Sequence, residues 1–251
     1  MGETGQATHT HGRTSVGYDL GLLDASALAD VLEIYGRVNE SLLASGHADY
    51  TPPKRHPKEY FSRLLQTRQM MGANVGGQTV GFVFLGETST ENPQDGVPGM
   101  RLCYNPAHTA VLRNAMVHPA HQGYGLGRKL FAACVDLAVE RGYGSIVSGV
   151  TAPNVSSWHN LVHAGLRLVQ VDSLPPEISP NSSTLAFYFH KHSAPEATRP
   201  ALFGHFTRVD PLSHPGLVRQ MLAQGSAQIG YEKNNGTMLL HFSGEAGRPV
   251  I

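Results

Sequence analysis

The chain has 251 residues, 41% of them hydrophobic and 15% charged. That is a globular composition, long enough for one large domain or a standard domain with an addition, and it excludes a disordered chain. Lys plus Arg and Asp plus Glu both number 19, so the formal net charge is zero, which argues against nucleic acid as a partner.

Cys103 and Cys134 form no Cys-x-x-Cys pair. One disulfide is a thin framework for a chain this long, so reduced thiols in a cytoplasmic protein are expected. No apolar run approaches the ~20 residues needed to span a bilayer, so no membrane partner is expected. Residues 1–17 are rich in Gly, Thr and His and lack the apolar core of a signal peptide; they read as a disordered lead-in. His9 and His11 there are too few to hold a metal, and none is expected.

Tyr18–Leu22 reads as a first strand. Asp24–Ser45 follows as a helix, with Leu28, Val31, Leu32, Tyr35, Val38, Leu42 and Leu43 near helical period and Asp24 as cap. After a proline turn at Asp49–Pro53, Pro57–Gln69 is a second helix. Met70–Val75 and Thr79–Glu87 form a hairpin about Gly76–Gly77. Thr88–Gly99 is a polar loop, and Thr109–Val117 an apolar strand. Gly125–Glu140 is a helix with Leu126, Leu130, Ala133, Cys134, Leu137 and Ala138 on its buried stripe. Ser145–Thr151 (strand), Asn154–Ala164 (helix), Leu166–Val171 and Thr184–His190 (strands) complete a domain over residues 18–191. Residues 192–251 read as a β-α-β-β extension: strand Ala201–Val209, helix Pro215–Ala223, and a hairpin about Asn234–Asn235–Gly236.

The informative segment runs from His118 to Arg128, His-Pro-Ala-His-Gln-Gly-Tyr-Gly-Leu-Gly-Arg, between an apolar strand and a helix. Gly123, Gly125 and Gly127 permit tight dihedrals and close approach of a ligand to the backbone. The first amides of the helix have no partners within it, and with the helix dipole they suit an anion such as a diphosphate. The loop is not a Walker loop, because no Gly-Lys-Ser/Thr follows. It fits a dinucleotide fingerprint poorly, because the third glycine comes early and no acidic residue sits about twenty positions on at a strand end. A strand-to-helix turn with glycines for packing stays open at this level.

Val117-His118-Pro119 with Gln122-Gly123-Tyr124-Gly125-Leu126-Gly127 resembles the Gln/Arg-x-x-Gly-x-Gly/Ala signature of the GNAT superfamily of acyltransferases. A second segment, from Asn154 through Ser157 to Gly165-Leu166, resembles that family's Asn-x-x-Ser/Ala and Gly-Phe signature at the expected distance downstream. The resemblance covers about Tyr18 to Lys191. It implies an α/β (α+β) fold, a mixed central sheet flanked by helices, and acetyl-CoA or another short acyl-CoA as cosubstrate. The backbones of Met116 and Val117 would pair with the pantetheine arm in the manner of strand addition. The diphosphate would sit on the amides of Gln122, Gly123, Tyr124, Gly125, Leu126, Gly127 and Arg128. Asn154, with Ser157 near it, would hydrogen-bond the pantetheine; an N-cap role for Asn154 fits as well.

The implied chemistry is direct attack of an amine on the thioester, with the backbone N–H of Val117 as oxyanion donor. Two family features are missing: the helix tyrosine that serves as general acid is replaced by Leu161, and Thr109–Val117 holds no glutamate. His108, His118, His121 and Tyr124 lie near the expected thioester, with His118 the named base. Glu33, Glu40, Asp49 and Glu59, and the loop Ser173–Ser183, are candidates for the acceptor side. Trp158 reads as packing or adenine contact. The leading expectation is transfer of acetyl to a small-molecule or amino-acid-like amine. Alternatives are a protein N-terminal or lysine acetyltransferase and a non-catalytic acyl-CoA sensor. The extension is expected to act as a lid or as the contact of a homodimer.

Overall fold

The computed structural model describes residues 17–45, 56–87, 108–173, 185–192, 206–224, 226, 228–234 and 237–243. The lead-in through residue 16, Cys103, the 49–53 turn, the loop within 88–99 and the acceptor loop from residue 174 lie outside these.

Seven strands form one sheet in the order β1-β2-β3-β4-β5-β7-β6. They are β1 (Asp19–Leu22), β2 (Met70–Val75), β3 (Gln78–Glu87), β4 (Thr109–Val117), β5 (Ser145–Thr151), β6 (Arg167–Ser173) and β7 (Leu185–His192). Only β4 and β5 pair in parallel; every other neighbour is antiparallel. The inner strand β3 is buried at every position from Thr79 to Gly86, the pattern of a strand covered on both faces.

Helices α1 (Leu28–Ala44) and α2 (Pro57–Gln66) cover one face, their Val31, Ile34, Tyr35, Phe61, Leu64 and Leu65 packing with Phe82, Phe84 and Met116 of the sheet. Asp24 caps a short 3₁₀ turn (Ala25–Ala27) rather than α1 itself, accepting the Ser26 amide at 2.9 Å. Helices α3 (Leu126–Glu140) and α4 (Val155–His163) cover the other face, where Leu126, Leu130, Phe131, Cys134, Trp158 and Leu161 are buried. Cys134 is a free thiol, and its burial pushes it up to about 12.

The extension builds a three-stranded antiparallel sheet from β8 (Phe206–Val209), β10 (Thr237–Ser243) and β9 (Gln228–Asn234), with helix α5 (Pro215–Ala223). Its Val209, Val218, Met221, Leu240 and Phe242 join the same core as α3 and α4. It also supplies partners to β6, which is an edge strand of the large sheet. Buried Gln228 accepts the Leu168 amide at 2.7 Å, and Arg219 Nε donates to the Val171 carbonyl at 3.1 Å.

Tyr143, beyond α3, donates to Glu87 Oε1 at 2.6 Å and so ties the end of β3 to the α3–β5 turn. Burial first, and the Glu87 carboxylate second, push its phenol up to about 12. A raised pKa means that the folded state holds the proton more tightly than the unfolded chain, whose tyrosines titrate near 10. The stabilisation is therefore complete below about pH 10 and is lost as pH rises toward about 12. Thermal melts of wild type and Tyr143→Phe should differ at pH 8 and converge across that window; a constant gap would exclude this linkage.

Candidate functional site

The site begins where β4 and β5 part. The two strands pair only from Thr109↔Ser145 to Val111↔Val147, and the last link is Ser148 Oγ donating to the Leu112 carbonyl at 2.9 Å. Beyond it β4 bulges. On β3, Phe84 faces Arg113 and Phe82 faces Met116, so Asn114 and Ala115 together oppose Val83. Asn114 takes a left-handed φ of 53°, a conformation that asparagine tolerates better than most residues. Its Nδ2 donates to the Tyr60 hydroxyl of α2 at 2.5 Å. A bulge bends its strand and raises its twist, which accounts for β4 leaving β5 here. Burial raises the Tyr60 phenol above its ordinary range, so it is protonated at neutral pH.

The bulge also sets which backbone groups face the opening. His118 N–H donates to Val80 of β3 at 2.9 Å. By alternation along the strand, Met116 also turns its backbone toward β3, and Val117 turns the other way, into the splay. The Val117 carbonyl is engaged by the Gln122 side chain at 2.9 Å. Of the two backbones expected along a pantetheine arm, Val117 faces the opening and Met116 faces its neighbour Phe82.

The glycine loop follows directly. Pro119–His121 make a 3₁₀ turn, with His118 Nδ1 accepting the Ala120 amide at 3.3 Å. That contact engages the ring nitrogen which a neutral His118 would need as a base. Gly123 and Gly125 have φ of 81° and 75°, and a Cβ at either would meet nothing within 4 Å. Gly125 caps α3 without a side-chain hydrogen bond, and Lys129 is the first amide to close on a carbonyl outside the helix, that of Gly125 at 3.2 Å. The amides of Leu126, Gly127 and Arg128 therefore point out of the helix end with no partner among the described residues, beside open space, an arrangement that accepts an anion. This donor set fits a diphosphate.

Gly127 has a different reason for being glycine. A Cβ there would lie 2.7 Å from Asn160 Nδ2, so Gly127 lets α4 close on α3. Asn154 caps α4, its side chain accepting the Ser157 amide at 3.3 Å. Arg128 directs its guanidinium to His163 Nε2 at 3.1 Å, and His163 Nδ1 lies 2.6 Å from the Tyr231 hydroxyl of β9. Because Arg only donates, His163 Nε2 is the acceptor and the ring's proton sits on Nδ1. The extension thus touches the glycine-loop helix through one histidine.

The family model described as Acetyltransferase (GNAT) family matches residues 35–165, more than half of the chain. The chain belongs to this family. A curated relative, the L-amino acid N-acyltransferase MnaT of Escherichia coli (strain K12), is 34% identical over 97 residues, 39% of this chain and 55% of the relative. The L-methionine sulfoximine/L-methionine sulfone acetyltransferase of Salmonella typhimurium is 45% identical over 47 residues, 19% of this chain and 28% of the relative. The chain thus matches about half the length, or less, of these relatives. Among solved structures, yncA of Salmonella typhimurium, an acetyltransferase with its cofactor acetyl-CoA, superposes with a TM-score of 0.54 at 19% identity, covering 74% of this chain and 99% of that one. The ribosomal-protein-alanine N-acetyltransferase of Brucella melitensis gives 0.52 at 20% identity, over 69% and 98%. At these identities the two structures establish the GNAT fold.

The two departures from the family pattern are structural as well. Leu161 is buried in the core on the α3–α4 face, and β4 carries no carboxylate from Thr109 to Val117. Glu33, Glu40 and Glu59 are exposed, and Glu40 meets Arg37 at 3.7 Å on the surface of α1. Trp158 is packing: it is 1% exposed and donates its indole N–H to the Ala152 carbonyl at 3.1 Å. Sequence reasoning missed Tyr60, Arg113 and Asn114 at the bulge, and the link from His163 to Tyr231. One signal was present: Arg113 and Asn114 interrupt a mostly apolar run, and asparagine is a poor strand former. No helix among the described residues is long and apolar enough to cross a membrane, and no group of three or more His, Cys, Asp or Glu among them is placed to hold a metal.

Proposed function

We propose that the chain is an acyl-CoA-dependent N-acyltransferase that moves a short acyl group, acetyl first, to the amine of a small amino-acid-like molecule. One observation carries this reading: the splayed edge of β4 and the unpartnered amides at the head of α3 lie end to end, joined by Val117 and Gln122. A thioester arm pairs with the first and a diphosphate with the second. The acceptor class is supported by the Escherichia coli relative, an L-amino acid N-acyltransferase.

Bound acyl-CoA supplies an activated acyl carbon. The chain's part is to hold the amides of residues 122–128 on the diphosphate, to place Asn154 and Ser157 beside the arm, and to aim the Val117 N–H at the carbonyl oxygen. The neutral amine attacks, a C–N bond forms, the C–S bond breaks, the nitrogen releases one proton and the thiolate takes one up. Leu161 has no acidic proton to give and β4 offers no carboxylate, so the chain relies on positioning and on the Val117 donor more than on a dedicated acid and base. The same two absences, of the helix tyrosine and of the strand glutamate, favour as a second reading an acyl-CoA sensor without turnover.

Thiol release from acetyl-CoA in the presence of an amine panel separates the two. Amine-dependent release is expected; tight coenzyme A binding with no release from any amine would establish the sensor.

A further inference from the structure

Arg113 is the first residue of β4 beyond its last link to β5. Its guanidinium lies on the α1–α2 face, with Cζ 5.2 Å from the centroid of the Phe84 ring. Its Nε is buried without a hydrogen-bond partner, and no carboxylate pairs with it among the described residues. Gly86 makes the room: a Cβ there would stand 2.8 Å from Nη2 and 3.2 Å from Nε. Arg113 as a whole is half-buried, so the guanidinium is partly out of water at Nε; an anion would complete its pairing, since one ring contact offsets only part of the desolvation. The phosphate-binding end of α3 lies on the opposite face of the sheet, so coenzyme A's own diphosphate is not that anion.

Resting on the proposed acyl transfer, we infer that Arg113 binds the carboxylate of the acceptor and so selects free α-amino acids over amines that lack an acid group. A planar guanidinium fork held against Phe84 can present parallel N–H donors to a planar carboxylate. In an α-amino acid the carboxylate is one carbon from the amine. Anchored at Arg113, it leaves the amine beside the bulge at Asn114, where β4 opens from β5. Asn114 and Tyr60, bonded to each other, border the same place.

The test compares a panel of L-α-amino acids with the matching amino-acid amides, using acetyl-CoA as donor, for wild type, Arg113→Met and Arg113→Lys. In wild type the free acids should be preferred. Loss of the charged pair should lower the ratio of kcat/KM for acid over amide by about 100-fold in Arg113→Met, with Arg113→Lys between. A wild type that acetylates amides as well as acids, or variants that lose both alike, would overturn the inference and leave the proposed function standing. If no amine is acetylated, the proposed function fails, and calorimetric titration of the same amino acids into the coenzyme A-saturated protein reads the anion site directly. Carboxylate-dependent heat in wild type that vanishes in Arg113→Met supports the site; its absence in wild type overturns it.

Discussion

Gly125→Glu is expected to abolish coenzyme A binding while leaving a folded chain. Gly125 has φ of 75° and caps α3 with no side chain over the helix amides. A substituted residue carries about 1–3 kcal/mol of backbone strain in this region, which a domain of ordinary stability tolerates. A Cβ meets nothing within 4 Å, so the new side chain extends into the space assigned to the diphosphate, where its charge opposes the phosphates and takes up the field of the helix end. Gly125→Gln has the same shape and the same strain without the charge. Affinity should fall by at least about 100-fold in the glutamate variant, on the scale of a like-charge juxtaposition of several kcal/mol, and by distinctly less in the glutamine variant. Calorimetric titration with coenzyme A, alongside thermal melts of all three proteins, measures both terms. A glutamate variant that binds as wild type does would remove the diphosphate from this loop.

Trp158→Ala should be the most damaging single change to stability. The indole is 1% exposed, lies edge-on to His159 at 4.3 Å and to Phe187 at 5.8 Å, and donates to the Ala152 carbonyl. Deleting a buried tryptophan costs about 3–5 kcal/mol, a large share of the roughly 5–15 kcal/mol that holds a domain folded. Trp158→Phe keeps most of the packing but leaves the carbonyl unsatisfied, so about 1–3 kcal/mol is expected. Because α4 also carries Asn154, Ser157 and His163, a loosened α4 should weaken coenzyme A binding along with stability. Urea titrations followed by circular dichroism check the ranking; a loss under about 1 kcal/mol in Trp158→Ala would show that the pocket collapses around the gap.

Much of the fold was legible because its signals are local. The helical period of Leu126 to Ala138 and the closing Gly142 at φ 79° reappear as α3 and its end. The Gly76–Gly77 turn appears with both residues at positive φ, and the strand boundaries of β2, β4 and β5 match the expected ones. The two histidines of the glycine loop were harder to interpret. Residue type and neighbourhood suggested a base at His118, whereas the Ala120 amide that engages its ring is a product of the local turn. The extension read as an appendage because its strands are separated in sequence from β6. Its core contacts with α3 and α4 are nonlocal and leave no periodic trace.

By itself the sequence determined that a glycine-opened helix follows an apolar strand and that the chain resembles an acyltransferase, because dihedral demands and helix-end chemistry act over a few neighbouring residues. Only the tertiary structure decided that Val117 faces the splay and Met116 does not, that Gly127 serves the approach of Asn160, and that Arg113 lies half-buried against Phe84 with no acid paired to it among the described residues. Each of those depends on a one-residue bulge at Asn114, which reverses the direction of every backbone group beyond it, and on helices that reach the sheet from distant parts of the chain.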